Sequence, residues 1–199
     1  NFIYNSILGN TMNKFKVGFT YSYDDFDEIV DFEKKNYNRK DKSFGSFFEY
    51  SYDDLEKLSL VAGLRYDFHN NLGSFFTPRF HIRYQPLEKS VFRFSVGSGR
   101  KSSNIFSENQ GVFSTGRKIY IDNNNGNFYG LESEKASNYG ISFRQGFLLN
   151  NQEGDITVDY YITDFINQIV VDWEKQGEIH FYNLEGKSFA KSFQIELDY

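Results

Sequence analysis

Charged side chains in this chain recur at every second residue, and that spacing limits the chemistry available to them. Alternate residues of a β-strand share one face, so such residues form a row of hydrogen-bonding groups along one side of a sheet. We expect this row to hydrogen-bond whatever lies against it, or simply to be solvated. The residues that follow this spacing are Arg65, Asp67, Arg79, His81, Arg83, Arg93 and Arg144.

Two short motifs resemble ion-binding loops but fail on spacing. Residues 97–102 (GSGRKS) lack the G-x-x-x-x-G-K-[ST] spacing of a phosphate loop, and no helical pattern follows them. Residues 122–126 (DNNNG) begin like a calcium loop, but the glycine comes one place early and the twelfth position is Ser133. We interpret the first as the end of a strand and the second as a polar turn.

Catalytic and metal sites are not predicted. His69, His81 and His180 are not paired at a metal-ligand spacing, and the chain has no cysteine. Spacing alone supports neither a Ser-His-Asp set nor a carboxylate pair. We therefore expect a protein that is not an enzyme and needs no cofactor.

The segment 57–69 shows which element must carry the charged rows. Its even positions are all apolar (Leu58, Leu60, Ala62, Leu64, Tyr66 and Phe68), whereas its odd positions are mostly small or charged. Strands of soluble proteins usually run about five or six residues, while about 9–11 tilted residues cross a bilayer. The pattern predicts a strand in a wall between lipid and water.

Similar alternation recurs along the chain and predicts an all-β, antiparallel transmembrane barrel. We predict nine strands, at residues 1–8, 13–24, 42–52, 57–69, 76–85, 90–100, 136–149, 154–171 and 178–199.

Tight turns alternate with longer connections. The turns fall near residues 9–12, 53–56, 86–89 and 150–153, and the longer connections near 25–41, 70–75, 101–135 and 172–176. Outer-membrane barrels have short periplasmic turns and longer outer loops. On that orientation, two rows of tyrosines mark the membrane interfaces: Tyr50, Tyr52, Tyr84 and Tyr199 at the inner ends, and Tyr21, Tyr23, Tyr66 and Tyr139 at the outer ends.

Composition agrees with this fold class. The chain has 199 residues, 20% aromatic, and a mean hydropathy of -0.59. That value is compatible with a barrel, because alternate residues of its strands are polar. The net charge of -5 argues against nucleic acid as a partner. No apolar run reaches the ~18 residues of a transmembrane helix.

The stretch from residue 64 to residue 100 resembles the barrel of a TonB-dependent outer-membrane receptor. The matching pieces are LRYD at 64–67, TPRF at 77–80, YQP at 84–86 and GSGR at 97–100. Two later pieces, LESEKASNYG at 131–140 and DYYITDFINQI at 159–169, extend the resemblance in the same order. The pieces resemble receptors of the Bacteroidetes group.

This resemblance implies one β-barrel domain over residues 1–199, as part of a barrel of about 22 strands with a plugged lumen. Nine strands cannot complete such a barrel, since bacterial single-chain barrels have even strand numbers. We therefore expect a fragment of a longer protein whose plug domain and TonB-contacting segment are absent here. The seven charged residues would then face the lumen and the plug.

The implied function is active uptake across the bacterial outer membrane of a scarce nutrient, energised by TonB. An iron-siderophore, haem, cobalamin, another metal complex and a glycan all remain possible ligands. Basic groups near the outer mouth would attract an anionic chelate, or would only be solvated. These candidate ligand-binding residues are Arg100, Lys101, Arg117, Lys118 and Tyr120.

Two alternatives stay open. A soluble, secreted all-β module that binds carbohydrate or another ligand would also have alternating strands, but we expect charge to interrupt its exposed apolar row. A passive, porin-like channel would share the wall and lack the plug.

Overall fold

The structure, a computed structural model, describes residues 1–30, 35–122 and 125–199. The elements are, in chain order, β1 (Phe2–Leu8), β2 (Asn10–Phe26), β3 (Ile29–Val30), β4 (Lys35–Asn36), β5 (Arg39–Asp53), β6 (Leu58–His69), β7 (Gly73–Leu87), β8 (Ser90–Lys101), α1 (Ile105–Glu108), a 3-10 helix (Gln110–Ser114), β9 (Lys118–Ile121), β10 (Glu134–Leu149), β11 (Gln152–Ile166), β12 (Ile169–Asp172), β13 (Glu178–Asn183) and β14 (Lys187–Asp198).

Nine strands form one antiparallel sheet, which we call the wall. Its order is β1-β2-β5-β6-β7-β8-β10-β11-β14, so each strand pairs with its sequential neighbours in the wall. The predicted all-β, antiparallel architecture of nine strands is thus confirmed. Most of these strands run 12 to 17 residues, well beyond the usual length in soluble sheets.

The two faces of the wall differ because the register keeps like residues side by side. Leu64 lies opposite Phe48 on one neighbouring strand and Pro78 on the other. The apolar residues that share this face are exposed along the strands, and Phe76, for example, is 63% accessible. The other face carries the charged rows. We call the two surfaces the apolar face and the charged face.

Tight turns join the strands at one end of the wall, which we call the turn end. At residues 54–57 the carboxylate of Asp54 accepts the backbone N–H groups of Glu56, Lys57 and Leu58 at 2.7–3.0 Å. These hydrogen bonds hold the pKa of Asp54 below its usual range, and the bond from Leu58 has the largest effect. Leu55 takes a positive φ of 65°. A local side-chain bond of this kind stabilises a turn without help from the rest of the fold.

The longer connections gather at the opposite end, the loop end. Their described residues within 27–38, 102–133 and 167–186 form what we call the loop cluster. A three-stranded sheet, β12-β13-β9, forms one layer of it. A buried apolar core lies there, with Ile105, Phe106, Leu131, Ile179 and Phe181 each at most 2% accessible.

Four predicted ranges have wrong boundaries. The predicted strand 154–171 ends at Ile166, because Asn167 takes a left-handed φ of 57° and turns the chain out of the wall. The predicted strand 178–199 is divided at Gly186, whose φ is 95°. The connection predicted at 172–176 is therefore 167–186, and it contains β12 and β13. The connection predicted at 70–75 is only 70–72, since β7 begins at Gly73.

None of the helices among the described residues is both long enough and apolar enough to cross a membrane.

Candidate functional site

All seven charged residues predicted for one row lie on the charged face. Arg65 is opposite Thr77, Arg79 opposite Gly63, and His81 opposite Val61. The strand pairing places the remaining four residues on the same face, namely Asp67, Arg83, Arg93 and Arg144. Backbone geometry therefore brings residues from β6, β7, β8 and β10 onto one surface.

Glu49, a residue of this face that the sequence analysis did not single out, joins three strands. Glu49 is only 7% accessible, and its carboxylate lies 3.1 Å from the ammonium of Lys16. The guanidinium of Arg79 contacts the other carboxylate oxygen. A buried carboxylate needs such partners, because leaving it unpaired away from water is costly.

Arg65 and Asp67 form a second charged unit on β6. Arg65 donates from Nε at 2.7 Å and from Nη2 at 2.6 Å to the carboxylate of Asp67, which is 7% accessible. The pair lies against Gly45, where a Cβ would come 2.2 Å from Arg65 Nη2. A glycine at this strand position permits that close approach.

Arg144 belongs to a third unit, near the turn end. Its Nη2 lies 2.5 Å from the carboxylate of Asp155 on β11. Arg65, Arg79 and Arg144 each therefore carry a carboxylate partner within the wall.

Arg83 and Arg93 are arranged differently, since they lie directly opposite each other on β7 and β8. Both line a concavity of about 470 Å³ on the charged face, together with His81 and Asp159. Neither arginine has a carboxylate partner among the described residues.

The five residues predicted for the outer loop do not form one cluster. Lys101 is paired with Glu108 at 2.5 Å, and Arg100 donates to the carbonyl of Leu72 at 3.1 Å. Arg100 also lies over the ring of Phe75, 5.0 Å from its centroid. Arg100 is therefore bound within the end of the wall, whereas Lys101 joins the wall to α1 of the loop cluster.

The other three, Arg117, Lys118 and Tyr120, lie on or beside β9. Tyr120 stacks on His180, with ring centroids 5.0 Å apart and planes at 19°. The His180 Nε2 lies 2.8 Å from the carboxylate of Glu178, which holds the pKa of Glu178 below its usual range. The stacked rings of Tyr120 and His180, which we call the aromatic platform, therefore lie beside charged groups.

Trp173 extends the platform. Arg117 donates to its carbonyl at 2.9 Å, and the guanidinium lies 5.6 Å from the Trp173 ring centroid. The sequence analysis missed the roles of Glu178 and His180 because it assigned residues 178–199 to a wall strand, and it placed Trp173 in a short connection near 172–176. The alternation of Glu178 and His180 with apolar Ile179 and Phe181 was the available signal, since it marks a separate short strand.

Arg39 connects the wall to the loop cluster. It pairs with the 5% accessible Asp41 at 3.0 Å and donates to Asn104 at 2.5 Å. Its guanidinium also lies over the rings of Phe26 and Phe128, at 4.4 and 5.0 Å. This side chain therefore holds the long connection 102–133 against the end of β5.

A second contact, between two of the connections, lies next to Arg39. Tyr129 donates a hydrogen bond to the carboxylate of Glu28, which belongs to a different connection. Burial, followed by this hydrogen bond, raises the pKa of the Tyr129 phenol well above its usual range. The phenol consequently stays a donor at neutral pH.

No group of three or more His, Asp or Glu side chains arranged to hold a metal occurs among the described residues. The calcium-like segment 122–126 includes residues 123 and 124, which lie outside the described residues.

The sequence model of one family, described as TonB dependent receptor-like, beta-barrel, matches residues 1–199. No curated protein sequence matches the chain.

Solved structures with the same fold include siderophore receptors. A mutant of the ferric enterobactin receptor PfeA of Pseudomonas aeruginosa, in complex with enterobactin, matches with a TM-score of 0.68 and 15% identity over 97% of this chain and 32% of that one. The siderophore receptor PirA of Pseudomonas aeruginosa matches with a TM-score of 0.68 and 16% identity, over 98% and 35%.

The FrpB iron transporter of Neisseria meningitidis matches with a TM-score of 0.59 and 17% identity, over 98% of this chain and 31% of that one. At these identities the likeness establishes the fold. The chain spans about a third of the length of each of these receptors. A Bacteroidetes origin stays a prediction.

Proposed function

Because the chain belongs to the TonB-dependent receptor-like β-barrel family, we propose that it forms part of an outer-membrane receptor that takes up a scarce nutrient with energy relayed by TonB. The observation that carries this proposal is the wall, whose nine strands keep one exposed face apolar except toward its ends, where residues such as Lys42 and Lys191 lie in the same rows. Such a face is solvated by lipid tails, whereas in water a continuous apolar surface of this extent leads to association.

The tyrosines at the ends of the apolar face support the same orientation. Tyr21, Tyr23 and Tyr139 are exposed near the loop end, and Tyr84 and Tyr199 near the turn end. Amphipathic rings at these two levels suit the two membrane interfaces. The loop end then faces outward, and the turn end faces the periplasm.

The remaining parts of the receptor lie outside residues 1–199 in this proposal. A plug domain fills the lumen against the charged face, and a segment before it contacts TonB. The proportion of each neighbouring structure that the chain covers, about a third, leaves room for both. The partners are therefore outer-membrane lipid, the plug, the TonB complex and the ligand.

The ligand contacts proposed here are on the aromatic platform rather than at the strand ends. Tyr120, His180 and Trp173 offer ring surfaces, while Arg117 and Lys118 supply positive charge. A planar or aromatic anionic chelate matches that chemistry. The titles of the neighbouring structures name siderophores and iron, which makes an iron chelate the first class to test.

An uptake experiment tests this function. Iron-starved cells expressing the full-length protein, with and without TonB, are supplied with ferric enterobactin carrying radioactive iron, and haem and cyanocobalamin are tried in parallel. We expect the protein in the outer-membrane fraction and uptake of one probe that requires TonB. Uptake that is equal without TonB indicates a passive channel, and a protein that stays soluble without detergent contradicts the membrane assignment.

Two variants test the platform. Tyr120→Ala combined with Trp173→Ala removes two rings, and we expect weaker binding of the transported probe. Phe113→Ala is the control, since this exposed ring also lies in the loop cluster but does not belong to the platform.

A further inference from the structure

Three lysines interrupt the apolar face on neighbouring strands at one side of the wall. Lys191 lies opposite Ile162, and Ile166 lies opposite both Lys135 and Lys187. Strand pairing therefore puts three ammonium groups, from β10 and β14, on a face that is otherwise apolar. Charge on a lipid-facing strand is costly at the bilayer midplane and costs little near the interfaces.

The lysines lie where the continuous apolar rows stop on the side of the loop end. On β10 and β11 these rows stop at Tyr139 and Ile162, which are direct partners, and the next residues outward on the same face are Ser137 and Asp164. On β6 the apolar row continues as far as Phe68. Strands of a membrane barrel tilt by about 35–45°, so the membrane boundary crosses successive strands at different register positions. In the proposed orientation the lysines therefore lie at the outer interface.

The side chain of Lys191 is directed toward that interface. Its ammonium lies 5.0 Å from the ring centroid of Phe189, which is two residues nearer the loop end on the same face. A lysine in this arrangement covers apolar surface with its methylene stem and places its charge at the level of the headgroups.

The positive charge here is not neutralised within the described part of the chain. The ammonium groups of the three lysines have no hydrogen-bond or ion-pair partner there. Arg100, the direct partner of Lys135 on β8, donates to the neutral carbonyl of Leu72. One acid, Asp164, lies in the same rows, opposite Phe189. We call Arg100, Lys135, Lys187 and Lys191 the basic patch, and its net charge is positive.

An apolar groove adjoins the basic patch on the side of the turn end. It has a volume of about 360 Å³, and its lining includes Phe94, Val96, Tyr139, Ile141, Tyr160 and Ile162. Because the rows that line it stop directly below the patch, the groove and the patch are continuous. The hydroxyl groups of Ser98 and Ser137, which are direct partners, lie between them.

We propose that the basic patch and this groove together bind one phosphate-bearing lipid of the outer leaflet. Its phosphate lies among the lysines and one of its acyl chains lies in the groove. Ammonium groups bind phosphate oxygens through charge-assisted hydrogen bonds. The inference goes beyond nutrient uptake and rests only on the membrane orientation given under the proposed function.

A lipid fits this surface better than a soluble anion does. A soluble anion would contact the patch and leave the groove unused, whereas a lipid matches the charge and the apolar surface at the same time. Lys135 and Lys187 are separated by two strand spacings, about 10 Å, which leaves room for a headgroup between them.

Native mass spectrometry of the full-length protein in a nonionic detergent, titrated with dioctanoyl phosphatidic acid, tests the proposal. The triple variant Lys135→Gln, Lys187→Gln and Lys191→Gln is compared with Lys42→Gln, which removes a lysine from the same face on β5. We expect the affinity to fall at least about tenfold in the triple variant and to be unchanged in Lys42→Gln. The three lysines have no side-chain partner to lose, so heat-modified mobility should be the same in all variants.

Two further variants test the same site in opposite directions. Asp164→Asn removes the acid from the rows of the patch, and we expect phosphatidic acid to bind about two- to fivefold more tightly. Val96→Phe fills part of the groove with an apolar ring, and we expect weaker binding without a change in charge.

Four results overturn the proposal. They are an unchanged affinity in the triple variant, an equal loss in Lys42→Gln, an unchanged affinity in Val96→Phe, and binding of dioctanoylglycerol as tight as that of phosphatidic acid. Displacement of the lipid by an equal concentration of inorganic phosphate also overturns it, because the patch would then be a site for a free anion. Uptake is measured separately in cells, so TonB-dependent uptake in a protein that fails these tests leaves the proposed function in place.

Discussion

The wall and the loop cluster bury their apolar side chains in opposite ways. Among the described residues, Val91 is the only buried hydrophobic residue of the wall, whereas Ile105, Phe106, Leu131 and Phe181 of the loop cluster are almost inaccessible. The loop cluster is therefore built like a small soluble domain, and the wall like a surface solvated by lipid. The hydrophobic effect of water stabilises the first, while ladders of hydrogen bonds stabilise the second, together with the bilayer in the proposed receptor.

The largest effect that separates the two regions is expected at the centre of the loop cluster. Phe106→Ala removes a ring that is 2% accessible and lies 5.5 Å from Tyr37 and from Tyr129. We expect the free energy of unfolding of the loop cluster to fall by about 3–5 kcal/mol while the wall stays folded. Limited proteolysis of the connections and heat-modified mobility of the barrel measure the two regions separately.

Phe113→Ala is the matched control for this substitution. Phe113 contacts Phe106 but is 47% accessible, so its loss should cost much less. Simultaneous unfolding of the wall and the loop cluster in Phe106→Ala would show that they are one cooperative unit.

The next effect tests the wall. Leu64→Lys places a charge on the apolar face in the middle of β6, and we expect a loss of about 2–4 kcal/mol in barrel stability. Val61→Lys on the same strand adds the same charge to the charged face and should cost about 1 kcal/mol or less. Urea titrations of the folded barrel in detergent compare the two. Equal losses would mean that neither face contacts lipid.

A smaller effect is expected where the two regions meet. Arg39→Gln leaves the buried carboxylate of Asp41 with Asn71 as its one side-chain partner among the described residues, and it removes the bond to Asn104. We expect a loss of about 1–3 kcal/mol, the range for a buried group that loses its partner. Hydrogen exchange should show the loss in residues 102–133 rather than in the wall.

Lys40→Gln, an exposed neighbour on the same strand, is the control for Arg39→Gln. Faster exchange across all nine strands in Arg39→Gln would contradict a junction that holds only the loop cluster.

The smallest effect is a pH dependence of the aromatic platform. The hydrogen bond from His180 lowers the pKa of Glu178, so the folded state favours the ionised carboxylate. The resulting stabilisation is present above the ordinary glutamate pKa of about 4.3 and is lost as the pH falls through the lowered value. Proteolysis of residues 167–186 should therefore accelerate at acid pH in the wild type, and Glu178→Gln should remove that acceleration. A wild-type cleavage rate that does not change with pH would contradict the role of this pair.

The wall was predictable from the sequence, and the loop cluster was not. Alternation over 12 or more residues is a strong local signal, so β6 was placed within one residue of its observed bounds. The segment Ile169–Asp172 has the same local composition but leaves the wall, because the left-handed Asn167 redirects the chain. Pairing of β9 with β13 joins residues about 60 positions apart, which no local pattern reports.

The same limit applies to the charged face. The parity of the arginines was readable, since the side-chain period of a strand is two. Their partners were not, because the Glu49 cluster joins β2, β5 and β7. That Arg83 lies opposite Arg93 depends on the register of β7 and β8, which the tight turn at Glu88 and Lys89 and the register shift between Tyr84 and Leu87 set together.

The measurement that tests the membrane wall most directly is a lipid-contact scan of β6. Residues 60–67 of the full-length protein are replaced one at a time by cysteine in a background free of other cysteines, labelled with a fluorophore, and quenched by brominated lipid tails. A membrane-spanning wall predicts strong quenching at Leu60, Ala62, Leu64 and Tyr66 and weak quenching at the residues between them. Equal quenching at both parities, or a labelled protein that never enters the lipid, would contradict it.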